Sequence, residues 1–81
     1  MGEGLLDRIV VSPRVLAGKP IVRGTRLSVE FLLGLLAQNI PQDEILRDYP
    51  TLKPDDLRAV LLYAQRVISG EEVVPLAVDG R

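Results

Sequence analysis

Proline decides where the elements of this chain can begin and end. Pro13, Pro20, Pro41, Pro50 and Pro54 recur along a sequence of 81 residues. Each fixes its own φ and lacks an amide hydrogen, so no helix or strand interior runs through it. Only the first turn of a helix welcomes one. The chain is therefore restricted to short elements joined by tight connections.

Ahead of Pro13, "RIVVS" is short and β-branched, as a strand requires. Gly18 and Pro20 carry turn chemistry. "IVR" is a second β-prone run, closed by Gly24, and the two runs predict a small hairpin or a pair of edge-like strands. Two strands alone are marginal in water, so they must lean on helices or on another subunit. Ser28 then reads as an N-cap with Glu30 in the first turn. Val29, Leu32, Leu33 and Leu36 follow the i, i+3, i+4, i+7 pattern of a helix. Phe31 and Leu35 make that helix apolar all round, which marks a central one. Gly34 in its middle costs about 1 kcal/mol relative to alanine, and close approach of another backbone would account for it. Asn39 suits the left-handed terminus.

Pro41 opens a second, short helix through Asp43 and Glu44, with Ile45, Leu46 and Tyr49 on its inner face. Pro50 stops it by forcing Tyr49 out of helical geometry. Pro54, Asp55 and Asp56 open a third in the same way. Leu57, Val60, Leu61, Ala64, Val67 and Ile68 stripe one face of it, and Gly70 closes it. Pro41 to Gly70 thus has the outline of a helix-turn-helix. The expected fold is mainly α, a three-helix bundle with a small N-terminal β-hairpin. One domain covers residues 1–70, followed by a C-terminal tail, 71–81, that is strand-like, extended or frayed.

The chain holds no cysteine and no histidine. Disulfides, zinc thiolates, the commonest general base and the commonest transition-metal ligand are all excluded. Aromatics are 4% of the residues against 47% apolar, so the core must be aliphatic. A chain near this size buries only about 60% of its unfolded surface, and self-association would add what one core lacks. "MGEGLLDRIVV" has neither the basic start nor the apolar run of a signal peptide. Residue 6 is Leu rather than Ser or Thr, so myristoylation at Gly2 is not expected. "FLLGLLA" falls far short of the roughly 20 residues a bilayer needs. A soluble cytoplasmic protein is expected.

Net charge is −1, but its distribution is uneven. Arg8, Arg14, Lys19, Arg23 and Arg26 precede any acid between residues 8 and 29. Asp43, Glu44, Asp48, Asp55 and Asp56 then crowd the middle. These acids read as helix-start residues rather than a metal cluster. Gly18 and Lys19 echo a phosphate loop, but Pro13 stands where its first glycine belongs and Pro20 where its Ser or Thr belongs. "RGTR" is richer. Gly24 can take positive φ, and Thr25 can bind local amides. Arg23 and Arg26 flank the turn just before a helix N-terminus, where an anion is favoured. They either clamp an anion or carboxylate or pair with acids such as Asp48 or Asp56. Internal pairing is expected for Arg26, exposure for Arg23 and Lys19. As a DNA reader the third helix is poorly equipped, because Asp55 and Asp56 occupy the end that would meet the groove.

The run "GKPIVRGTRLSVEFLLGLLAQNIPQDEILRDYPTLKPDDLRAVLLYA" resembles DUF 433, a bacterial family of unknown function. Three blocks carry the resemblance in order: Gly18, Lys19, Pro20, Arg23, Gly24, Thr25 and Arg26; then Glu44, Ile45, Leu46, Asp48, Tyr49 and Pro50; then Asp56, Leu57, Ala59, Tyr63 and Ala64. The resemblance implies a homeodomain-like or winged-helix-like fold. It also implies a role like that of a VapB-type antitoxin, whose partner would be a PIN-like ribonuclease encoded next door. The chain is thus expected to be a non-enzymatic binding protein without cofactor or metal, and a homodimer. The alternative is a DNA-binding transcriptional regulator using the basic N-terminal segment. Lys19, Arg23, Arg26 and Arg14 are the expected partner- or nucleic-acid-binding residues. Gly18, Pro20, Gly24 and Thr25 are the expected structural turn.

Overall fold

The structure is a computed structural model and describes residues 2–70 and 75–78. In chain order its elements are α1 (Gly2–Leu6), β1 (Ile9–Val11), β2 (Ile21–Val22), α2 (Val29–Ala37), α3 (Gln42–Asp48), α4 (Pro54–Ile68) and β3 (Leu76–Ala77). A 3-10 turn at Leu16–Gly18 lies between the first two strands.

This is an α+β fold, which corrects the expectation of a mainly α three-helix bundle. Two features overturn it. α1 adds a fourth helix, packed on α4. Residues 75–78 return to β1 and complete a three-stranded mixed sheet ordered β2-β1-β3. β1 is antiparallel to β2, with Ile9 opposite Val22 and Val10 opposite Ile21. It is parallel to β3, with Val10 opposite Leu76 and Val11 opposite Ala77. Residues 71–74 and 79–81 of the expected tail lie outside the described residues.

The unbroken apolar run of β1 has a physical cause, since both faces of the strand are covered. Alternate side chains point to opposite faces. Ile9 and Val22 join the main core with Val29, Leu32, Ile45, Leu52, Leu57, Ala59 and Val60. Val10 and Ile21 face the other way, where Val15 and Val78 close over them. A helix as short as α1 is marginal in isolation. Leu5 holds it by packing against the main core.

The helix ends follow local chemistry. Ser28 Oγ accepts the Phe31 amide at 2.9 Å, so the expected N-cap is present. Asn39 takes φ 67° after α2. Tyr49 leaves helical geometry at φ −126°, ψ 77°, ahead of Pro50. Pro54 sits in the first turn of α4, and the Asp56 carboxylate reaches back to the Lys53 amide at 2.8 Å. Gly70 takes φ 85° past its end.

Candidate functional site

The basic N-terminal segment is first a turn. Gly24 stands at φ 80°. Thr25 fixes the bend from both sides: its Oγ1 donates to the Val22 carbonyl at 2.8 Å and accepts the Leu27 amide at 3.0 Å. Among the described residues, no atom beyond its chain neighbours lies within 4 Å of a β-carbon built on Gly24. The requirement for glycine is therefore conformational rather than steric. Upstream, Leu16, Ala17 and Gly18 all take left-handed φ, of 51°, 56° and 81°. For Leu16 and Ala17 this is strained backbone, and no glycine, asparagine or aspartate announces it.

Arg23 and Lys19 are exposed, as expected, although each has a partner, whereas the pairing expected of Arg26 is not found among the described residues. Arg23 is tied down: its Nε and Nη2 donate to the Asp7 carbonyl at 3.2 and 3.0 Å, just past the end of α1. Lys19 Nζ pairs with Glu30 Oε1 at 3.0 Å. Arg26, expected to pair internally, is exposed and has no polar side-chain partner among the described residues. The side chain of Arg14 is likewise exposed and unpaired among them. Neither arginine of the turn reaches Asp56, because Arg8 holds it through Nη1 at 2.9 Å. Arg8 also lies 3.8 Å from Asp55. No sequence pattern singled out Arg8, whose partner is 48 residues away.

The hairpin divides these cations between its two ends. Arg14 follows β1 and Lys19 precedes β2, so antiparallel pairing puts them at one end. Arg23 and Arg26 follow β2 at the other end, where the Arg23 amide meets the Arg8 carbonyl. The four expected binding residues do not form one patch. Among the described residues no group of three or more acids is placed to hold a metal ion. None of the described helices is long and apolar enough to cross a membrane.

A groove of about 410 Å³ lies between the start of α2 and the last turns of α4. Pro20, Val29 and Leu33 line one wall; Tyr63, Val67 and Ile68 line the other. Lys19 and Glu30 supply its charged rim. Val67 is 50% exposed and Ile68 84%. The periodic stripe of α4 therefore outruns the core: Leu57 and Val60 are buried, whereas the same stripe continues to Val67 and Ile68, which stay exposed among the described residues. Helical periodicity found these positions without dividing them between core and groove.

Burial raises the Tyr63 phenol above its ordinary 10.0. The folded chain then holds that proton more tightly than the unfolded chain does. The associated stability is complete below pH 10.0 and is lost as pH rises through the folded value. Denaturant titrations at alkaline pH are expected to show a loss that a Tyr63→Phe variant lacks.

Residues 9–64 match the family described as "Protein of unknown function (DUF433)". Among solved structures, the chain is similar to a DUF433 member protein from Anabaena variabilis, at 31% identity and a TM-score of 0.73. That similarity covers 84% of this chain and 67% of the other. None of the curated proteins matches the chain.

Proposed function

Because the chain belongs to the DUF433 family, we propose that it is a non-enzymatic binding protein with an antitoxin-like role, neutralising a PIN-like ribonuclease encoded beside it. The observation that supports this reading is the groove between α2 and α4. It is apolar, open, and rimmed by one cation and one anion. Such surfaces on small proteins mark contacts with other proteins. The last turn of α4 presents Val67 and Ile68 as anchors that association would desolvate. Direct DNA binding has less support. Arg14 and Arg26 lie at opposite ends of the hairpin, and acids occupy the first turn of α4.

Co-expression tests the role. The ribonuclease encoded by the adjacent gene should arrest growth alone, and the wild-type chain should restore it. A Val67→Asp chain should accumulate normally, since that side chain is half exposed, yet fail to rescue. An adjacent gene without such a nuclease, or rescue by Val67→Asp equal to wild type, would remove this reading.

A further inference from the structure

α2 carries a second, partly open face beside the groove, sharing Lys19 and Glu30 with its rim. Its core side consists of Val29, Leu32 and Leu36. Phe31, Gly34, Leu35 and Gln38 fall at i, i+3, i+4 and i+7 on a neighbouring side, where Leu35 is partly buried against the main core and Gly34 is half-buried. Phe31 remains 42% exposed even though its ring meets Tyr49 edge-on at 5.8 Å. That contact fixes the ring without covering it. Glu30 is the one charged residue in the nine of α2, and a helix so apolar is normally enclosed on every side.

Gly34 sharpens the question. Glycine in a helix interior is unfavourable. Here, among the described residues, no atom beyond its chain neighbours and the backbone of its own helix lies within 4 Å of the β-carbon it lacks. Nothing inside the fold requires glycine at this position. A surface glycine flanked by apolar side chains admits the backbone of another helix at close range.

We infer that this face is the interface of a symmetric homodimer, with α2 crossing its two-fold mate at Gly34. The choice of a second copy over another partner rests on charge. Lys19 and Glu30 sit together at the edge of this face and carry one charge of each sign. A two-fold axis presents the same patch to itself, so a patch must complement its own image. One cation beside one anion satisfies that condition, each facing its opposite in the mate, whereas a patch of a single sign would repel itself. The apolar stripe is likewise self-complementary. This interface is independent of any ribonuclease, and its test needs only the chain itself.

Light scattering at micromolar concentration should give about twice 8.9 kDa for the wild type. Gly34→Lys should give 8.9 kDa. The variant gains helix propensity and an i, i+4 partner in Glu30, so the monomer fold is reinforced while two lysines meet at the axis. Unchanged helical circular dichroism confirms that folding is intact. Val67→Asp, in the groove, should remain dimeric. Lys19→Glu and Glu30→Lys should each weaken the dimer, and mixing the two should restore it as a heterodimer in native mass spectra. A monomeric wild type, a dimer indifferent to Gly34→Lys, or mixed charge variants that fail to pair would each overturn the assignment.

Discussion

Leu57→Ala will cost about 3–4 kcal/mol, a large fraction of what holds the fold together. Leu57 is 0% exposed and packs among Leu32, Ile45, Leu52 and Val60. It sits in the first turns of α4, where that helix meets both other long helices and the sheet. Truncation removes buried methyl groups and opens a cavity that flanking backbone cannot fill. A chain this short has a total stability on the order of 4–12 kcal/mol, so the loss is a large fraction of it. Leu57→Met preserves volume and should cost less than about 1.5 kcal/mol. Urea titration of the two variants gives the comparison as a difference in midpoint. An alanine variant within about 1 kcal/mol of wild type would mean that this core is not closed as described.

The second large effect is electrostatic. Asp56→Ala is expected to cost about 2–3 kcal/mol. Its carboxylate is 6% exposed by residue and accepts from two donors, the Lys53 amide at 2.8 Å and Arg8 Nη1 at 2.9 Å. Removing it leaves the first turn of α4 without its cap and the arginine without its anion. The Arg8 side chain is 35% exposed, so water recovers part of that loss, which keeps the figure below that of a fully buried pair. Asp55→Ala is the matched control. Asp55 is half exposed, and its contacts with Arg8 and Arg58 are 3.8 and 3.5 Å long. It should change stability by less than about 0.5 kcal/mol. Chemical denaturation should separate the two neighbours clearly, and equal losses would show that the cap and the ion pair carry no special weight.

Local signals were legible in this sequence and non-local ones were not. Ser28, Asn39, Pro41, Pro54 and Gly70 act on backbone within a few residues of themselves, so the three longer helices begin and end where their chemistry predicts. The RGTR turn was legible for the same reason, since Gly24 and Thr25 complete it between Val22 and Leu27. The α+β class was not. It depends on Val10 meeting Leu76 from the far end of the chain, and a two-residue strand carries no periodicity of its own. α1 is equally short, and only its packing on α4 makes it a helix. The exposure of Arg23 and Lys19 was legible, but the partner of each cation was not, because partner choice is a matter of tertiary placement. Arg8 took Asp56, Arg23 took a backbone carbonyl, and Arg26 was left at the surface. On α4 the apolar stripe was legible, but its division into core and open groove was not, because the pattern is the same on both sides of that boundary.

Beside the basic arm that the sequence singled out, the structure places a second surface. The hairpin end with Arg26 is scaffold plus an exposed cation. The α2–α4 groove is the surface proposed for a protein partner. Titration calorimetry of the purified chain into the proposed ribonuclease partner compares them most directly. The groove account predicts that Val67→Asp weakens binding by about thirtyfold, the loss of roughly 2 kcal/mol at an anchor position. It also predicts that an Arg14→Ala, Arg26→Ala double variant binds within about threefold of wild type, as exposed charges at a rim do. The reverse pattern, with Val67→Asp binding as wild type and the arginine variant losing its affinity, would contradict the account and return recognition to the basic segment.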